Sequence, residues 1–91
     1  MVLVKNINGT SDNFPPFGYN SWKDYWIAKK GYWPLKCAAY GCYDKAELGG
    51  HVMIVNGDTR QWFIVPICYA HNNSSNPYYV DETMLVLARD Y

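Results

Sequence analysis

No excess of charge of either sign marks this chain of 91 residues, in which eight Lys and Arg stand against eight Asp and Glu. A generic nucleic-acid binder draws most of its affinity from phosphate contacts and carries a clear positive surplus. The overall balance argues against that class. No apolar run approaches the roughly 20 residues needed to cross a bilayer, so no membrane partner is expected. Met1-Val2-Leu3-Val4-Lys5-Asn6 turns polar too soon for a signal peptide. The expectation is a protein of the cytoplasm, or otherwise intracellular and not secreted, whose cysteines stay reduced. The Asn-x-Ser/Thr triplets at Asn8, Asn72 and Asn73 are then chance matches. Cysteine itself is scarce: three residues cannot all pair within one chain, and no Cys-x-x-Cys redox pair exists. There is no internal repeat and no linker, and the length suits one domain spanning residues 1–91.

What abounds is aromatic. Nine Tyr and four Trp in so short a chain either cover a small core or supply a binding surface, because these rings combine apolar area with a polar tip. Charge is uneven locally: between positions 20 and 45, Lys23, Lys29, Lys30, Lys36 and Lys45 face only Asp24 and Asp44.

Val2–Val4 has the composition of a short strand. Residues 6–20, with Pro15-Pro16 and several Gly and Asn, form a loop expected to be pinned by Phe14 and Phe17. Ser21 followed by Asp24 has capping-box spacing, Trp22, Tyr25 and Trp26 recur at helical intervals, and Gly31 fits a C-cap. A short helix over Trp22–Lys30, burying Trp22 and Trp26, is predicted. His51–Val55 and Arg60–Val65 are β-rich and are joined by Asn56-Gly57-Asp58-Thr59, a strong hairpin signal. A short helix can start near Cys68, but the turn formers from Asn72 to Pro77 stop it early. Thr83–Ala88 is a predicted strand, expected to pair with the amino-terminal strand and so hide both edges.

Five residues carry chemistry: Cys37, Cys42, His51, Cys68 and His71. Cys37-x4-Cys42 sets two thiolates across a turn, and Cys68-x2-His71 sets a thiolate and an imidazole across the first turn of a helix. The hairpin between them is long enough to bring the chain back to the same point. A mixed sulfur and nitrogen set of four suits Zn²⁺ in a closed, structural site. A domain this small gains from it, since structural zinc adds on the order of 10 kcal/mol of apparent binding energy that is also folding energy. Ordinary buried thiols are the alternative, as cysteine is among the most buried residue types. A Cys68–His71 nucleophile lacks an orienting group and an oxyanion device. His51 has three readings: a replacement for His71 as fourth ligand, a neighbour of the ion, or a packing residue at the start of a strand. Gly49-Gly50 before it permits a tight bend or a close approach of backbone.

The arrangement resembles the zinc-containing HNH endonucleases, a treble-clef or ββα-metal family, over roughly residues 36–73. Cys37 and Cys42 match the family's first zinc pair. Ala46-Glu47-Leu48-Gly49-Gly50-His51-Val52 matches the approach to the hairpin, with His51 on the general-base position. Val65-Pro66-Ile67-Cys68-Tyr69-Ala70-His71-Asn72 matches the last segment, with Cys68 and His71 on the second zinc pair. The resemblance implies a zinc-stabilised, treble-clef-like ββα core with a central hairpin; with the short N-terminal helix and paired terminal strands read above, the expected fold is small α+β. It also exposes two departures. Gly50 stands where a catalytic-metal ligand belongs, and Asn72 replaces the histidine after the second zinc pair. Cleavage of this kind depends on a divalent ion to stabilise charge developing on phosphate, so the resemblance implies a scaffold that kept one structural Zn²⁺ and lost the nuclease.

Three functions follow in order. The first is a non-catalytic interaction module binding another protein, as an inhibitor or adaptor, with Trp22, Trp26, Trp33, Tyr40, Tyr43, Lys29 and Lys30 as candidate surface and Tyr19 and Tyr32 beside them. The second is a nucleic-acid-binding zinc module using the local lysine patch. The third is a metal-dependent nuclease with His51 as base.

Overall fold

A computed structural model describes residues 1–7 and 14–89. In chain order the elements are β1 (Val2–Asn6), α1 (Trp22–Lys30), β2 (Leu48–Ile54), β3 (Trp62–Ile67), α2 (Tyr69–Asn72), β4 (Tyr78–Val80), a 3-10 turn (Glu82–Met84) and β5 (Val86–Arg89). The five strands form one sheet in the order β4-β1-β2-β3-β5, with every pairing antiparallel. This is a small α+β fold.

Alternation along the strands gives the sheet two apolar faces. On one, Val4, Val52, Val65, Ile67, Tyr78 and Val80 pack with Cys37, Ala39 and Cys68. On the other, Ile64 and Val86 receive Trp26, with Trp22, Tyr25 and Trp33 around it. The cysteine-bearing segment and α1 therefore lie on opposite sides of β2 and β3.

Helix α1 has the boundaries its sequence predicts. Ser21 Oγ accepts from the Asp24 N–H at 3.0 Å, and Gly31 takes a left-handed φ of 85° while donating to the Ile27 carbonyl. Trp26 is fully buried, and its indole N–H donates to the Met84 carbonyl at 2.8 Å. That removes Trp26 from the candidate binding surface: its ring is core. Trp22 and Trp33 are half-buried, Trp33 standing edge-on to Trp26 at 5.5 Å and donating to the Ala46 carbonyl at 3.1 Å. The four-Trp surplus thus mostly closes a small core.

The hairpin is present and reaches further than its β-rich runs predict, because β2 begins at Leu48. Two glycines permit this. A Cβ on Gly49 would come within 2.8 Å of Ile64 Cγ2 and 3.1 Å of the Lys23 backbone nitrogen, so glycine lets α1 settle on β2. A Cβ on Gly50 would run into the Ile67 side chain. The turn uses Asn56 at φ 63°, a Gly57 N–H to Ile54 carbonyl bond of 2.9 Å and an Asp58 carboxylate accepting from the Arg60 N–H at 2.9 Å.

Three expectations are corrected. The terminal strands do not pair: β1 lies between β4 and β2, while β5 lies at the far edge against β3. β4 takes the edge of β1, with Val2 opposite Val80 and Val4 opposite Tyr78; three residues are too few to show a period in sequence. Thr83 and Met84 are not in a strand. The Asp81 carboxylate accepts from the Thr83 N–H and from its hydroxyl, both at 2.9 Å, which bends the chain into a turn before β5. Finally, Phe14 and Phe17 are exposed and do not pin the loop. Tyr19 does, edge-on to Tyr25 at 5.2 Å, while residues 8–13 of that loop lie outside the described residues.

Candidate metal centre

Two short segments converge on one face of the sheet. The first is a small knuckle in which Lys36 and Lys45 form an antiparallel bridge. Within it the Cys37 N–H donates to the Asp44 carbonyl at 2.7 Å, the Cys42 N–H donates to the Ala39 carbonyl at 3.0 Å, and Gly41 takes φ 79°. The Ala38 N–H ties the knuckle to β3 through the Pro66 carbonyl at 2.9 Å. The second segment is the start of α2, where Cys68 is the N-cap in extended conformation and its Sγ accepts from the His71 N–H at 3.4 Å.

The geometry brings Cys37, Cys42, Cys68 and His71 together, with their four donor atoms all within 4.8 Å of one another. Cys68 Sγ lies 3.3 Å from His71 Nδ1, Cys37 Sγ lies 3.8 Å from the same nitrogen, and Cys42 Sγ lies 3.9 Å from Cys68 Sγ. Around a tetrahedral ion with metal–sulfur bonds near 2.3 Å and metal–nitrogen bonds near 2.0–2.1 Å, such atoms would sit about 3.5–3.8 Å apart. The four residues therefore fit one metal ion, and all four coordination positions would be filled. None of the three cysteines is in a disulfide. Burial pushes the Cys37 thiol up to about 12, so a thiolate there needs a neighbouring cation to be favoured, which a bound ion supplies.

His71 is held from behind by residues that the sequence gives no reason to single out. The Asn6 side-chain amide donates to the carbonyls of His71 at 2.6 Å, Asn72 at 3.2 Å and Ser74 at 2.9 Å. The Tyr78 hydroxyl donates to Asn6 Oδ1 at 2.7 Å, and its ring stands edge-on to His71 at 5.1 Å. Burial also raises the Tyr78 phenol above its ordinary value, keeping it a donor. One asparagine at the end of β1 thus joins the first strand, α2 and β4 around a ligand.

His51 is not part of the cluster; His71 takes the fourth position. His51 is 9 % exposed, on the α1 side of β2, edge-on to Trp22 at 4.8 Å and to Trp62 at 6.3 Å. Its Nε2 has no hydrogen-bond partner among the described residues, and burial lowers its pKa below the ordinary 6.5. Gly50, one residue earlier, faces the opposite side, toward Ile67 and Asn72.

The remaining surface candidates divide by position. Tyr40 and Tyr43 project from the knuckle, 73 % and 81 % exposed, beside Leu35 at 89 %. An open cavity of about 520 Å³ lies along this segment, bordered by Pro34, Lys36, Tyr40, Tyr43 and Met84. Lys29 and Lys30 are exposed at the end of α1. Among the described residues no helix is long and apolar enough to cross a membrane.

Comparison with models of protein families, with curated proteins and with solved structures gave no match.

Proposed function

We propose that this chain is a non-catalytic, zinc-stabilised interaction module that binds another protein. The observation that carries the reading is the closed donor set: three sulfurs and one imidazole, all within 4.8 Å of one another, would fill the four positions of a tetrahedral ion and leave none for water or substrate, the mark of a structural rather than a catalytic site. Zn²⁺ is the ion this thiolate-rich tetrahedral set suits in a reducing compartment.

The scaffold is read as a degenerate relative of the zinc-containing HNH fold. A knuckle carrying two ligands, a hairpin, and a helix start carrying the other two support that lineage. Loss of the nuclease is supported by two placements. No side chain fits at position 50, where Ile67 fills the space. His51 is packed between two indoles on the other face of the strand, away from Asn72, so it is badly placed to take a proton from a nucleophile held on that side. Three large exposed side chains on the knuckle, Leu35, Tyr40 and Tyr43, support a protein partner, since tyrosine supplies a large contact area with few torsions to order.

The test is incubation of zinc-loaded protein with plasmid DNA and Mg²⁺ or Mn²⁺, in parallel with His51→Ala. No cutting by either protein is expected. Cutting by the native chain that vanishes in the variant would replace the interaction module with an active nuclease.

A further inference from the structure

The lysines between α1 and the knuckle have an unusual set of partners. Lys23 Nζ sits 4.9 Å from the Trp33 ring centre, Lys29 Nζ 5.3 Å from Tyr25, and Lys36 Nζ 5.0 Å from Tyr43. Among the described residues, neither these lysines nor Lys30 is within ion-pair distance of a carboxylate; the salt bridges there are Lys45 with Glu47 and Arg60 with Asp58. Trp33 packs back on Trp26, and Tyr32 stands edge-on to that same indole at 5.3 Å. The Tyr32 hydroxyl also lies 3.7 Å from Met84 Sδ, and Met84 borders the same cavity as Lys36, Tyr40 and Tyr43. The end of α1 and residues 31–36 thus lead to the knuckle with ammonium groups that make no ion pair.

We infer that this band, Lys29, Lys30 and Lys36 with Tyr32, Tyr40 and Tyr43, is the docking face of the module and that its partner is an acidic protein segment carrying apolar side chains. The inference rests on the interaction-module reading above and names its partner's chemistry. Charge complementarity selects the acid: the band offers ammonium groups without counter-ions, and steering by such a field favours an anionic partner. The exposed Leu35 and tyrosines add apolar area that a purely electrostatic partner would leave unused. Single-stranded nucleic acid fits less well. Stacking needs free ring faces, and Trp33, Tyr25 and Tyr43 each already carry an ammonium, while Trp33 is also packed into the core.

The experiment selects random dodecapeptides displayed on phage against the zinc-loaded chain, then measures one synthetic selected peptide by titration. The native protein is compared with Lys29→Gln/Lys30→Gln/Lys36→Gln and with the charge reversal Lys29→Glu/Lys30→Glu/Lys36→Glu. The glutamine set serves if reversal at the end of the helix impairs folding, and a thermal melt of each variant checks this. Expected are peptides enriched in Asp and Glu beside apolar residues, affinity at least tenfold weaker in the glutamine variant, and weakening in raised salt. Amide shifts should fall on residues 29–43. Selected peptides without acidic enrichment, or bound equally by the glutamine variant, overturn this face and leave the interaction module standing. Failure to select any peptide overturns both. Displacement of the peptide by an oligothymidine strand overturns the acidic-protein partner in favour of nucleic acid.

Discussion

Asn6 on the first strand holds the backbone of His71, sixty-five positions away in sequence, through a side-chain amide to carbonyl bond of 2.6 Å. The same amide reaches two further carbonyls, and its oxygen accepts from Tyr78. The histidine of the Cys3His cluster is therefore positioned by a residue outside both segments that supply the cluster. Asn6→Ala should leave those part-buried groups without their partner, costing about 1–3 kcal/mol of stability. Asn6→Asp should be worse than alanine, because a carboxylate would face three carbonyl oxygens and lose the donor. Chemical denaturation and zinc affinity measured against a competing chelator check both. Equal affinity in all three proteins would remove Asn6 from the site.

Position 50 gives a prediction about room. Gly50→Ala should destabilise the fold by about 1–3 kcal/mol, since the added carbon meets the Ile67 side chain. Trimming that side chain in Gly50→Ala/Ile67→Val should recover part of the loss, a coupling visible in a double-mutant cycle. Additive losses would mean that the clash is not the cause. Gly50→His, which puts a metal-ligating residue type at that crowded position, should unfold the protein rather than create a nuclease.

The buried imidazole makes a prediction about acid. His51 has its pKa lowered by burial, so the unfolded chain takes up a proton near the ordinary value while the folded chain resists. Stability contributed by the neutral ring is intact above the unfolded value of about 6.5 and is lost as pH falls toward the lowered folded value. The comparison is made against His51→Phe, which leaves every other titratable group in place. The native chain should lose more stability than the variant between neutral and mildly acidic pH. Parallel curves would show that His51 is free to protonate in the folded state.

The aromatic residues should separate cleanly. Trp26→Ala should cost about 3–5 kcal/mol, as removal of a fully buried indole does. Tyr40→Ala and Tyr43→Ala, on exposed positions of the knuckle, should each stay within about 0.5 kcal/mol. Thermal melts of the three variants decide this, and a large loss at either tyrosine would assign it to the core.

How far the sequence carries the account follows from which features are local. Helix α1 was legible because Ser21, Asp24 and Gly31 act within a turn of its ends, and the convergence of Cys37, Cys42, Cys68 and His71 was legible because each pair is held by its own short segment. The Asn-Gly turn announced the hairpin, and of the two readings of Gly49-Gly50, a bend or a close approach, the close approach is what the structure has: both lie inside β2, where neighbours crowd them. What stayed hidden depends on distant partners. The place of β1 between β2 and β4, the three-residue β4 and the Asn6 network all join positions more than forty residues apart. The division of the tryptophans between core and surface is equally non-local: Trp26 is buried against Ile64 and Val86, on strands distant in sequence.

The central claim is that Cys37, Cys42, Cys68 and His71 close on one ion that the fold requires. Native mass spectrometry of the purified chain, followed by circular dichroism after addition of a strong chelator in excess, measures both halves of it. The account predicts one zinc per chain and loss of the folded spectrum when the metal is withdrawn, with Cys68→Ser giving a metal-poor, unfolded protein. A metal-free chain that keeps its full spectrum in the chelator would contradict it.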